Sequence, residues 1–148
     1  MPVIATATES DLDEVLPLFA GYQAFYTGTS QDGAKNRGFL QRFVDGYAGR
    51  LLVARDDDGV VVGFANLFWT FYSTIAEEHV LLNDLFVAQK ARGTGVGRAL
   101  IDASLDVARE RGSRTLSWQT ALDNRVAQRL YEATGADRSA LFEYELPA

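Results

Sequence analysis

Apolar residues recur along this chain with two periods, and the switches between them mark out its elements. Val3 to Ala7 reads as a short first strand. Thr8 is a helix N-cap with Asp11 in the first turn, and Leu12, Val15, Leu16, Phe19 and Gln23 follow at helical spacing to about Phe25. Pro17 falls inside that pattern and predicts a kink or a late start, because proline has no N–H to donate. Phe39, Leu40, Phe43, Val44 and Tyr47 form a second helical stripe within Gln31 to Tyr47, weakened early by Gly33 and Gly38. Leu51 to Arg55 is a strand, and Asp57-Asp58-Gly59 signals a hairpin turn. Val60 to about Thr74 is a long returning strand carrying Phe64, Phe68, Trp69, Phe71 and Tyr72 mostly into a core.

The next strand runs from about His79 to Val87, apolar on both faces from Leu81 onward. After a glycine-rich loop comes the clearest helix, with Val96, Leu100, Ala103 and Val107 as its stripe and Ile101, Leu105 and Ala108 widening it. Gly112 ends it as a left-handed cap. Thr115 to Thr120 alternates as a strand with Leu116 and Trp118 on one face. Asp123 is read as the cap of a last helix that turns Val126, Leu130 and Ala133 inward and closes at Gly135. Leu141 to Leu146 alternates again, with Phe142, Tyr144 and Leu146 on one face. The order β-α-α-β-β-β-α-β-α-β predicts an α/β fold, a mixed central sheet with helices on both faces, as a single domain over residues 1–148.

Composition narrows the function. A chain of 148 residues with 47% hydrophobic and 23% charged positions is expected to bury a core of ordinary globular type. The absence of cysteine excludes disulfides, thiolate metal sites and an acyl-cysteine intermediate, and a single histidine, His79, excludes a multi-histidine metal site. No metal is expected. The net charge of −6 argues against nucleic acid and mildly favours a cationic small molecule. Met1-Pro2-Val3-Ile4-Ala5 has no secretory pattern, and the apolar run from Val60 to Tyr72 is too short to span a bilayer, so the expectation is a cytoplasmic protein without a membrane partner.

The centre of the chain carries the chemistry. A strand, Leu81-Leu82-Asn83-Asp84-Leu85-Phe86-Val87, feeds Arg92-Gly93-Thr94-Gly95-Val96-Gly97 and then a helix start. Glycines let a ligand approach the backbone, and the unpaired N–H groups and dipole of the first helical turn attract anions. The spacing fits neither a Walker phosphate loop nor a dinucleotide fingerprint, since no Lys-Ser or Lys-Thr follows and Arg98 stands where the last glycine would. It does fit [Q/R]-x-x-G-x-G, with Arg92, Gly95 and Gly97. That loop resembles the pyrophosphate loop of the GNAT superfamily of acetyl-coenzyme A-dependent N-acetyltransferases. A second segment, Asn124 to Gly135, resembles the family's N-x-x-A-x-x-x-Y-x-x-x-G element through Asn124, Ala127, Tyr131 and Gly135. The predicted element order matches the GNAT fold over nearly the whole chain.

The resemblance implies acetyl-CoA as co-substrate and direct transfer to a primary amine of a small molecule. Its cofactor-binding positions here are Arg92, Gly93, Thr94, Gly95, Val96, Gly97 and Arg98 for the pyrophosphate, with Lys90 nearby, and Leu85, Phe86 and Val87 for the pantetheine arm. Asn124 would contact that arm and Tyr131 the thioester sulfur, as the acid. Asn83-Asp84 resembles the Glu-Asp pair of the polyamine and histone/polyamine/D-amino-acid acetyltransferases. A carboxamide cannot accept a proton, so the base role of that Glu does not transfer to Asn83: candidate Asp84 or an ordered water serves, or the base lies elsewhere. Strand alternation puts the two on opposite faces. Tyr22, Phe25 and Tyr26 crowd the end of the first helix, either as core or, with Asn83, as a substrate-facing wall. Two other functions stay open: a non-catalytic acyl-CoA-binding regulatory module, and a protein or peptide lysine acetyltransferase. The apolar C-terminal strand, and the dimers formed through this end by related polyamine enzymes, imply a homodimer.

Overall fold

The computed structural model describes residues 1–148. Strand β1 (Val3–Thr6) leads through a 3-10 turn at Glu9–Asp11 into helix α1 (Leu12–Thr27), and helix α2 (Gly33–Val44) follows. Strands β2 (Gly49–Arg55), β3 (Val61–Tyr72) and β4 (Glu77–Val87) then form a meander. Helix α3 (Val96–Glu110), strand β5 (Leu116–Ser117) and helix α4 (Arg125–Glu132) complete the elements. One five-stranded sheet runs in the order β1-β2-β3-β4-β5. Its first four strands are antiparallel and β5 is parallel to β4, so the sheet is mixed, as expected.

Each face of the sheet is covered by helix because each strand alternates its apolar residues between two cores. Leu12, Val15 and Phe19 of α1 and Leu40 and Phe43 of α2 bury against Leu51, Val53 and Phe64. On the other face Val96, Leu100, Ile101, Val107 and Ala108 of α3 bury against Leu52, Val62, Leu67 and Leu82. Full burial of each such side chain is worth about 1.5–3 kcal/mol. The two α1-side helices are also tied by a reciprocal amide pair, Gln23 Nε2 to Asn36 Oδ1 at 2.8 Å and Asn36 Nδ2 to Gln23 Oε1 at 2.9 Å. The α-helical part of α1 opens at Leu12 after the 3-10 turn, and Pro17 lies within it rather than at its start.

The structure departs from the periodicity at the C-terminal end. No strand forms at Leu141–Leu146, and Leu141, Phe142, Tyr144 and Leu146 are each about 90% exposed. An alternating segment needs a neighbour to take its hydrogen bonds, and β5, cut to Leu116–Ser117 from the expected Thr115 to Thr120, is too short to serve. In α4 the cap is Asn124, not Asp123, its Oδ1 accepting from the Ala127 N–H at 3.3 Å. Leu130 packs on the α3-side core, while Val126 and Ala133, at the two ends of this eight-residue helix, stay exposed, Val126 at 76%.

Candidate active site

Strands β4 and β5 part company almost as soon as they meet. Their parallel ladder consists of Val80 opposite Leu116 and Leu81 opposite Ser117, and beyond it β4 continues to Val87 with no strand on that side. His79 fastens the strands just before they separate. Its Nε2 lies 2.7 Å from Ser117 Oγ, its Nδ1 3.3 Å from Ser113 Oγ, and its ring stacks on Tyr72 at 3.8 Å. Burial holds its pKa below the usual imidazole value. No group of three or more His, Cys, Asp or Glu side chains in the fold is placed to hold a metal ion.

The gap between the strands opens into a cleft lined by Tyr22, Tyr26, Leu82, Asn83, Leu85, Trp118, Gln119 and Tyr131. Tyr22, Tyr26, Asn83 and Tyr131 are thus brought together from α1, β4 and α4. Phe25 is not with them: it is 61% exposed and only meets the edge of Tyr26. Leu82, Trp118 and Gln119 are lining residues that the pattern did not single out. The available signal was position, since ligands in open α/β sheets collect at the carboxyl ends of strands, where Trp118 and Gln119 follow β5. Tyr131 meets Trp118 edge-on at 5.6 Å, and burial together with nearby Tyr26 pushes its phenol pKa up to about 12.

Asn83 and Asp84 do not point to opposite faces. The register of β3 and β4 slips here, with Asn66 opposite Asp84 but Leu67 opposite Leu82, so Asn83 is an extra residue, a β-bulge. Its Nδ2 turns back to donate to Asp84 Oδ1 at 2.9 Å. Asp84 is 4% exposed and faces the α1 side, where it also accepts from Asn66 Nδ2 at 3.1 Å. Burial raises the Asp84 pKa above its usual value, against the lowering effect of neighbouring Tyr22, Asn66 and Asn83. Burial first, then the Asp84 charge, pushes the Tyr22 phenol far above its usual value, and Tyr26 is raised by the same two causes. Asn66, fully buried in mid-strand, keeps its Oδ1 without a partner. It is a member of the site that the sequence reading left out, although a carboxamide inside an apolar run was the sign.

The other end of the β4 edge leads to the glycine loop. The first bond of α3 runs from the Ala99 N–H to Gly95 O at 3.0 Å, which leaves Val96, Gly97 and Arg98 as the unbonded first turn. Gly95 caps the helix at φ 91°, and nothing lies within 4 Å of where a Cβ would stand at Gly93 or Gly95, so the loop is open on its outer side. Gly97 has a different reason: a Cβ there would stand 3.0 Å from Leu130 Cδ2, so it sets the spacing of α3 and α4 rather than room for a phosphate. Arg92 donates from Nε to Val87 O at 3.0 Å, with its guanidinium 5.4 Å from the Phe86 ring. Phe86 itself turns to the α1-side core, while Leu85 and Val87 pack toward α3. Thr94 bonds back to Ala91 O, and Arg98 pairs with Asp102 and donates to Ala133 O at 3.3 Å.

The model of the Acetyltransferase (GNAT) family matches residues 15–136, a span that holds both the splayed strand pair and the glycine-capped helix. The chain belongs to this family. It is an N-acetyltransferase. The uncharacterized N-acetyltransferase YhfO of Bacillus subtilis is 36% identical over 140 residues, 94% of this chain and 92% of the relative. The D-amino-acid N-acetyltransferase of Saccharomyces cerevisiae is 40% identical over 75 residues, 51% of this chain and 47% of that protein, which supports the polyamine and D-amino-acid branch. A crystal structure of a probable acetyltransferase superposes with a TM-score of 0.86 at 31% identity, covering 99% of this GNAT chain and 97% of the other.

Proposed function

We propose that this N-acetyltransferase moves an acetyl group from acetyl-CoA directly to the primary amine of a small molecule. The observation that carries the reading is the run of free β4 edge, open at one end on the α3 N-terminus and at the other on the tyrosine-lined cleft. The open backbone at Gly93 and Gly95 and the first-turn N–H groups of Val96, Gly97 and Arg98 fit a pyrophosphate. The edge from Leu85 to Val87 and the Asn124 side chain would hold the pantetheine arm, and the thioester supplies an activated acetyl group. The chain supplies the rest. Backbone N–H groups beside the bulge stabilise the developing oxyanion, Tyr131 keeps a proton at its hydroxyl for the leaving sulfur, and Asp84 is the buried destination for the amine proton.

Thiol release from acetyl-CoA is the test, read against a panel of polyamines, D-amino acids and a lysine peptide. Turnover with a small amine supports the reading. Turnover with the peptide alone, or with nothing despite calorimetric binding of acetyl-CoA, refutes it. The exposed apolar tail from Leu141 to Leu146 supports a homodimer as the working form, which light scattering measures directly.

A further inference from the structure

We propose that the cleft is built to hold the acceptor amine as a cation with no carboxylate beside it, and that Asn83 Oδ1 is the atom that receives its N–H. The inference rests on the amine-acetylation reading above and narrows the class of acceptor. Three observations carry it. First, the cleft wall is neutral. It consists of the aromatics Tyr22, Tyr26, Trp118 and Tyr131, two leucines, and the carboxamides Asn83 and Gln119, with no Lys, Arg or His. The arginines of the site are held at the glycine-loop end, Arg92 by Val87 O and Arg98 by Asp102 and Ala133 O. A carboxylate brought into the cleft therefore gives up water and finds no countercharge. A cation finds aromatic faces and oxygen acceptors.

Second, the Asn83 amide has a fixed sense. Its Nδ2 donates to Asp84 Oδ1 at 2.9 Å, and the other oxygen of Asp84 is held by Asn66 Nδ2 at 3.1 Å. A carboxylate only accepts, so the amide nitrogen turns to it, and the carbonyl oxygen is the end left for the cleft that Asn83 lines. Donation to a charged acceptor also polarises the amide and strengthens Oδ1 as an acceptor. The buried carboxylate thus stands one amide behind the cleft, biasing its charge preference without lining it. Third, both helices that reach the cleft reach it with their last turn. Tyr26 stands one residue before the end of α1 at Thr27, and Tyr131 one residue before the end of α4 at Glu132. The carbonyl end of a helix carries partial negative charge, which favours a cation there and opposes an anion. Lining, amide and dipoles share one sign, so diamines and simple amines are the acceptors, and free amino acids of either hand are poor ones.

The test uses the full-length protein and pairs of acceptors that differ by one carboxylate: diaminopropane against diaminobutyrate, putrescine against ornithine and cadaverine against lysine, each amino acid in both enantiomers. Thiol release at saturating acetyl-CoA gives kcat/KM for each. The expected result is a preference of about 10–100-fold for the carboxylate-free member, the cost of leaving a charged group without a partner. A preference below about tenfold, or one for the amino acid, overturns the proposal while amine acetylation stands. Asn83→Leu removes the oxygen and keeps the bulk at an exposed position. It should raise the KM for the preferred diamine about 10–100-fold, lower kcat less, and leave the calorimetric affinity for acetyl-CoA unchanged. An unchanged diamine KM, or a loss in kcat alone, removes Asn83 from acceptor binding. Thermal melting checks the fold, Asn83→Ala serves in the same way should the leucine variant melt early, and the wild-type pairs decide the charge preference without either variant. A wild type that acetylates none of these acceptors overturns the reading beneath the proposal, and the proposal with it.

Discussion

Tyr131→Phe removes one hydroxyl from the cleft wall and leaves the ring against Trp118. With its pKa pushed up to about 12, Tyr131 is a poor proton donor in the full sense. A thiol ionises near 8.5, so outright transfer to a thiolate would run uphill by about 3.5 units, or roughly 5 kcal/mol at about 1.36 per unit. The hydroxyl therefore acts through a hydrogen bond that tightens as sulfur gains charge. A hydrogen bond to a charged group is worth about 1.5–3 kcal/mol, which is roughly 10–150-fold in rate. The expected result is a fall in kcat of about a hundredfold with the KM for acetyl-CoA little changed. The raised pKa also sets the sign with pH: the proton stays on through pH 10 and is lost only as pH rises through about 12. Wild-type kcat should accordingly show no decline at pH 10 from this group. Stopped-flow thiol release across pH gives both quantities, and thermal melting checks the fold. A folded Phe variant with wild-type kcat, or one altered only in KM, refutes the reasoning.

Gly95→Val places a β-branched residue at φ 91°, a strain of about 1–3 kcal/mol, and fills the open side of the loop. Calorimetry should find acetyl-CoA binding lost in a variant that still melts cooperatively; retained affinity would mean that the cofactor lies elsewhere. His79 contributes stability that is full above about pH 6.5 and is lost as pH falls through its depressed folded pKa. Melting temperatures of wild type and His79→Gln, compared from pH 7.5 down to 5, should converge toward the acid end, and parallel curves would show that His79 does not titrate as buried.

Local features were legible and distant ones were not. The stripe of α3, its end at Gly112 and the loop before it depend on neighbours a few positions apart, and each appears where the spacing puts it. The separation of β4 from β5 has no local signature, so Trp118 read as one face of a longer strand when it lines the cleft. Asn83 misled because alternation assumes an unbroken register. Phe25 sat in the right cluster of aromatics but on the wrong side of α1, and Val126 and Ala133, in phase with Leu130, lie at the ends of a helix too short to bury them. The C-terminal alternation is real in the sequence, yet alternation states only what a strand would need, and no segment of the chain meets that need for Leu141 to Leu146.

The extra residue at Asn83 works on the strand as a change of parity. Above it the even-numbered Val80 and Leu82 belong to the α3 core; below it the odd-numbered Leu85 and Val87 do. Leaving Asn83 out of the ladder is what sets the phase: were it paired as a regular strand residue, Asp84 would enter the phase of the α3 core and Leu85 would turn toward Tyr22, and the error would run to the end of the strand. Deleting Asn83 outright would instead let Asp84 follow Leu82 opposite Asn66 in an unbroken ladder, with every later residue on the side it already has. What such a deletion takes away is the local kink and the one side chain that the kink sets in the cleft.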